Sequence, residues 1–445
     1  MNTRTRALSA VAAVSAIGLA MTGCSSDGGS DSDEPITLTY WSSQVGPDVP
    51  TTEAALNEQL VAFTADTGIE VDVETIPWSD LSTRILTAVS SGDSPDVTDI
   101  GNTMAVSLQA TGAFVPFDDA GWDAIGGQEK FVASMVETGG APDTDPTSVP
   151  MYGQAYSLYY NTELFAAAGI DEPSADWDEF VEQAQQLTID TDGDGTIDQW
   201  GLGLPGGAAR NAAHFAFIFG LQHGGTFFDE DFNPTLDTPE MADAVAQYVD
   251  LMSVSKVVSP ADTEVLSVFD TMQDFINGDV AMMFPQGPLG TFEQAGFTDW
   301  GVTDVPVISP LPAGGESIQT PVLGSNISIF QDSEHIEAAQ QLVAFLTDPE
   351  PQAALAAAFG VLPVAVDSYE IESFASEPSV AVRQRILAEH AAVYPLTPKA
   401  SAVETAVGES VNRLLADFAT TGNEITRADI EEALAGAQQT ALSAG

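Results

Sequence analysis

The chain has 445 residues, 44% of them apolar, with a mean hydropathy of +0.06 and 66 acidic against 11 basic residues, a formal net charge of −55. Charge of that sign excludes nucleic acid and anionic membrane surfaces as partners, and the apolar content excludes the disordered chain that such charge otherwise produces. The length points to two domains or more, each able to bury its own core.

In chain order, Arg4 and Arg6 precede an apolar run over residues 7–20 and then Met21, Thr22, Gly23 and Cys24. The pattern is an export signal that is removed, too short and too abruptly ended to span a bilayer. Cys24 is the only cysteine, so no internal disulfide is available. Residues 25–34, rich in Ser, Gly and Asp, read as a flexible tether. Loss of a leader that holds two arginines and no acid leaves 66 acids against 9 bases, or −57. Self-repulsion of that size is eased by screening ions, which fits adaptation to salty or acidic-envelope surroundings.

Residues 36–41 alternate as a strand, and residues 52–63 place Leu56, Leu60 and Phe63 on one helical face before Gly68. Ile69, Val71 and Val73 then alternate with acids. A helix over 79–89 turns Leu81, Ile85, Leu86 and Val89 inward, and a short strand follows at 97–100. Strands alternating with helices predict a largely parallel sheet covered on both faces, with ligands at the carboxyl ends of its strands. The pocket candidates are therefore residues 41–44 and 99–103.

A second α/β segment follows the Pro/Gly-rich residues 139–150. It has a strand at 157–160, a helix opened by a capping box of Asp176 and Glu179 that buries Trp177, Phe180, Val181, Ala184 and Leu187, and another helix started by Thr238 and Pro239. Residues 280–284 form a buried strand, 305–321 a Pro-rich crossover, 326–330 a strand and 336–347 a helix. The last sixty or so residues are Ala-rich helices with no visible chemistry. No repeat of fixed period appears.

Asp190, Asp192, Asp194 and Asp198 occupy positions 1, 3, 5 and 9 of a calcium loop, with Gly195 at 6 and Thr196 at 7. Position 12 is Gly201, so a bidentate ligand must come from elsewhere; the alternative to structural Ca²⁺ is a solvated acidic turn. Asp229, Asp231, Asn233, Asp237 and Glu240 have similar spacing, but Pro234 at the glycine position favours a hairpin followed by a helix cap. Residues 201–206 formally read GxGxxG, which Pro205 and the preceding loop make unsuitable for a dinucleotide. No HExxH, GxSxG or GxxxxGK[ST] sequence occurs.

Four segments resemble bacterial extracellular solute-binding proteins of family 1, the maltose-binding-protein-like group. They are WSDLSTRILTAVSSGDSPDV at 78–97, YGQAYSLYYNTELFAAAG at 152–169, FINGDVAMMFPQG at 275–287, and residues 324–363 with GSNISIF, QQLVAFLTDPEPQ and FGVLP. Residues 21–24 resemble a lipobox, which implies acylation of Cys24 and attachment to the extracytoplasmic face of the membrane. The resemblance implies an α/β, two-lobed periplasmic-binding-protein-like fold of type II with a hinge between the lobes. The N-lobe is expected at 36–152 plus 306–360 and the C-lobe at 153–305 plus 361–445. It also implies a monomer that needs no cofactor for activity, closes on a sugar and delivers it to an ABC permease, whose partner ATPase supplies the energy.

A sugar cleft combines aromatic faces with amide and carboxylate groups. The candidates are Trp41, Ser43 and Gln44 at the end of the first strand, Trp41 having a core role as the alternative. Asn102 and Thr103 follow, with helix capping as theirs. Tyr152, Gln154 and Tyr156 lie at the first crossing, where hinge packing is the alternative for the tyrosines. Asn211, His214, Phe215 and Phe217 offer a C-lobe wall or core residues, and Gly324, Ser325 and Asn326 a cleft segment or a turn. Leu289 stands where the family frequently has Trp, which removes one stacking platform. An exported carbohydrate enzyme with paired carboxylates, a surface sensor, and a binder of non-sugar ligands remain as alternatives.

Overall fold

The computed structural model describes residues 35–287, 289–372 and 378–443. The expected signal peptide, the lipidation site Cys24 and the tether lie outside them. Among the described residues, no helix is long and apolar enough to cross a membrane.

The first sheet contains β1 (Thr37–Ser43), β2 (Glu70–Ile76), β3 (Val97–Gly101), β4 (Val149–Gln154) and β9 (Leu323–Ile329), in the order β2-β1-β3-β9-β4. β1 runs parallel to β2 and β3, and β9 runs antiparallel to both β3 and β4. The largely parallel sheet expected from strand–helix alternation therefore carries one reversed strand, supplied by chain that returns from the second lobe.

Period-two alternation divides β1 between two cores: Leu38 and Tyr40 join helix Val49–Thr67 on one face, while Trp41 packs with helix Trp78–Ser91 on the other. Asp48 caps the first of these helices through Thr51 N at 2.7 Å. Gly68 and Gly92, at φ 74° and 70°, end both in left-handed turns.

The second lobe is built on β5 (Leu158–Asn161), β6 (Met282–Met283) and β7 (Trp300–Thr303), in the order β6-β5-β7. Around it pack helices Trp177–Gln186, Ala209–His223, Pro239–Ser253, Ala400–Thr421 and Arg427–Ser443. Asp176 accepts from Asp178 N and Glu179 N, as a cap should. The other half of the expected capping box is not made, because Ser174 intercepts both partners: its Oγ accepts from Asp176 N and donates to Glu179. Phe228 and Pro234 bridge in a hairpin and Thr238 caps the next helix, as expected there.

The chain passes between the lobes after β4, through residues 309–321, and near residue 390. The last two passages pair as β8 (Thr320–Pro321) and β10 (Ala391–Ala392), a parallel ribbon at the junction. The third crossing lies later than the expected boundary at 360. Val361, Leu362, Val364, Val380, Ile386 and Leu387 belong to the first lobe's core, and Gly153 and Leu362 exchange backbone hydrogen bonds at 2.7 Å. The chain turns back at Gly360 instead of crossing there.

Candidate functional site

A cleft of about 480 Å³ opens between the lobes, within the usual range for small-molecule sites. Gln44, Trp78, Ser79, Ser82, Asn102 and Thr103 line it from the first lobe, and Ala209, Arg210, Asn211, His214, Phe269 and Gln286 from the second. Gln154, Tyr156 and Gly324 lie where the chain crosses. The first-lobe residues follow the carboxyl ends of β1, β2 and β3, the edge at which open α/β sheets bind ligands.

Helix Ala209–His223 brings Arg210, Asn211 and His214 to the cleft, positions that share one face at helical spacing. Phe215 and Phe217 turn away: Phe215 stacks on Tyr248 and Phe217 packs on Tyr394, with centroids 5.6 and 4.9 Å apart. His214 is buried between two partners. The Tyr156 hydroxyl lies 3.0 Å from its Nδ1, and Glu404 Oε1 lies 2.9 Å from its Nε2. A carboxylate can only accept, so His214 donates from Nε2 to Glu404.

Glu404 comes from helix Ala400–Thr421, in the segment that shows no chemistry as sequence. Its Oε2 accepts from Thr103 of the first lobe at 3.4 Å, and Arg210 Nε lies 3.9 Å from Oε1. Burial opposes ionisation of Glu404, but the hydrogen bond and charge of His214, with Arg210 and Thr103, outweigh it and hold the carboxyl below its ordinary value. Burial pushes the Tyr156 phenol up, so it acts as a hydroxyl donor.

Of the other expected residues, Gln44, Asn102, Thr103, Gln154, Tyr156, Asn211 and Gly324 line the cleft. Trp41 does not: it packs with helix Trp78–Ser91 under the Arg84 guanidinium, 4.4 Å from its ring centroid. Ser43 holds buried Asp99 through its N–H and hydroxyl, both at 2.9 Å. Tyr152 packs edge-on against Phe359 in the first-lobe core. Ser325 and Asn326 are covered because β9 is an interior strand; Asn326 donates to Thr138 O and Ser148 Oγ at 3.1 and 3.0 Å. Gly324 meets the cleft through backbone, since a Cβ there would stand 2.1 Å from Tyr152 O.

Trp78 and Arg210 went unnoticed as sequence candidates and face each other across the opening, the guanidinium carbon 5.7 Å from the indole centroid. Trp78 had a usable signal, standing just beyond a strand end at a helix start. Phe269 and Gln286 had none. No Asp or Glu is among the described lining residues; Glu404 stands behind them.

Away from the cleft, an Ile189–Gln199 bridge closes the loop of Asp190, Asp192, Asp194, Thr196 and Asp198. Carboxylate oxygens of Asp190, Asp192 and Asp194 gather within 4.8 Å of one another. Asp198 instead accepts from Thr191 N and Oγ1 at 2.7 and 2.5 Å.

The chain matches the family described as bacterial extracellular solute-binding protein over residues 46–353. It is 27% identical over 326 residues to the arabinooligosaccharide-binding protein of Halalkalibacterium halodurans, covering 71% of this chain and 68% of that one. Identity is 25% over 316 residues with the diacetylchitobiose binding protein of Streptomyces coelicolor, 68% of each. The fold is similar to a maltose/maltodextrin-binding domain of Bdellovibrio bacteriovorus bound to maltotriose, with a TM-score of 0.74 at 22% identity over 92% of this chain and 99% of that one. A solute-binding protein of Thermotoga lettingae bound with α-D-tagatose gives 0.76 at 20% identity over 91% and 100%. Two lobes, chain crossings between them and a cleft at the junction accord with that match: the chain belongs to the bacterial extracellular solute-binding protein family.

Proposed function

We propose that this protein captures a sugar between its lobes by hinge closure and presents it, unaltered, to an ABC permease driven by a separate ATPase. The observation that carries the reading is the cleft itself, where Trp78 and Phe269 stand among Gln154, Asn102, Asn211 and Gln286. Flat aromatic faces suit the C–H faces of a pyranose and amides suit its hydroxyls. The named relatives that bind arabinooligosaccharide and diacetylchitobiose support it.

Lobe closure explains capture physically: contacts from both sides exist only when the lobes meet, so ligand shifts the population toward the closed form. Glycoside hydrolysis is disfavoured because it uses two carboxyl groups flanking the bond, and the described lining offers none. Isothermal titration with mono-, di- and oligosaccharides is expected to give saturable one-to-one binding with the sugar recovered intact. Small-angle scattering is expected to show a smaller radius of gyration with ligand. Turnover of the sugar, or an unchanged radius at saturation, refutes the reading.

The same proposal places the protein on the extracytoplasmic face, as a monomer held by lipid on Cys24. Intact mass of the membrane fraction tests this, since acylation adds mass that Cys24→Ser loses. A structural Ca²⁺ at Asp190, Asp192 and Asp194 is part of it, supported by the gathered carboxylates and by Gly195 at φ 94°. Melting temperature should rise when Ca²⁺ replaces chelator, and Asp190→Asn should abolish the rise.

A further inference from the structure

The cleft's charge stands against the rest of the chain. At the overall frequency of 66 acids in 445 residues, a lining of 25 residues would hold between three and four carboxylates; among the described residues it holds none. Carboxylates are strong acceptors for sugar hydroxyls, so an uncharged sugar gives no reason to exclude them. An anionic ligand does, because like charges brought together in a partly dehydrated cleft repel strongly.

The positive features converge on the same space. Arg210 has a side chain 38% exposed, makes no hydrogen bond to a described residue, and is touched by Glu404 only at Nε, 3.9 Å away. Its planar fork can pair bidentately with a carboxylate or phosphate. It stands in the first turn of a helix whose N-cap, Ala208, offers no side-chain acceptor, and residues 208–211 all line the cleft. Opposite, the helix begun at Trp78 is likewise without a side-chain cap, with Asp80 in its first turn outside the lining. Uncapped helix starts present free N–H groups and the positive end of the helix dipole. The chain's overall negative field is screened over about 8 Å at physiological ionic strength, so a ligand at contact meets the local lining.

We propose that the ligand is an anionic sugar, a uronic-acid saccharide or a sugar phosphate, and that Arg210 is the residue that selects it. This rests on the sugar-capture reading above. Calorimetric titration of the full chain would compare D-galacturonate, digalacturonate, D-glucuronate and glucose 6-phosphate with D-galactose and D-glucose. At least one acidic probe should bind tenfold or more tightly than its uncharged parent, and uronates against phosphate separate the two sources of charge. Arg210→Gln should remove most of that advantage and Arg210→Lys should retain part of it, with melting temperatures near that of the unsubstituted protein. Equal or tighter binding of the uncharged parents, or an Arg210→Gln variant that keeps its preference, overturns the inference while sugar capture stands. Failure of every probe, acidic and neutral, overturns both.

Discussion

Two buried carboxylates in this protein titrate in opposite senses. Glu404 is held below its ordinary value, so its contribution is present above the unfolded pKa and is lost as pH falls through the folded one. Glu404→Gln should destabilise by about 1–3 kcal/mol at pH 7, and urea titrations at pH 7 and pH 3.5 should show the deficit shrinking on acidification. Asp99 is the reverse. Burial raises it to about 6 despite donors on both oxygens, Ser43 N and Oγ on one and Tyr40 Oη at 2.7 Å on the other. The folded state then holds the proton more tightly, and its contribution is full below the unfolded pKa and lost as pH rises through 6. The destabilisation of Asp99→Asn should accordingly be larger near pH 4 than near pH 7.5, by roughly 3 kcal/mol at most. A pH-independent difference would show that the hydrogen bonds keep Asp99 ionised throughout.

Helix placement decides where Arg210 and His214 stand. Helix Ala400–Thr421 crosses the start of helix Ala209–His223 so closely that a Cβ on Gly408 would lie 2.0 Å from Ala209 O. Gly408→Ala should therefore cost about 1–3 kcal/mol of stability through overpacking and weaken ligand binding several-fold, measured by denaturation and by titration on the same preparation. Native stability with weakened binding would place the effect in the cleft alone. These elements also show what periodicity can and cannot reveal. The strand at 36–41 and the helices after 52 and 79 were readable because their buried residues recur at a regular period, the strand at 97–100 is buried throughout, and strand ends located Gln44, Asn102 and Thr103. Trp41 misled because its side chain is covered by helix Trp78–Ser91 and Arg84 on a face of the sheet, while the cleft opens beyond the strand's carboxyl end. Glu404 was illegible: its meaning comes from His214, 190 residues earlier, and no local pattern encodes a contact between distant helices.

Taken whole, the molecule carries 55 more negative than positive charges, and most of that repulsion lies between exposed groups that mobile ions can screen. Its melting temperature should rise between 0.05 and about 1 M NaCl, where the screening length falls to about 3 Å; a flat response would mean that the acids are already offset locally. The lobes themselves were foreseeable from alternating elements and from the family resemblance. The late third crossing was not, because the return at Gly360 depends on a pairing of Gly153 with Leu362 that no neighbouring residue announces. Chain order has a further effect on the cleft, whose wall begins at Gln44 and whose buried support ends at Glu404. A ribosome must polymerise the chain as far as Glu404 before His214 meets its acceptor. Until then the growing chain has no finished receptor with which to trap a solute, and ligand cannot lock it into a compact form.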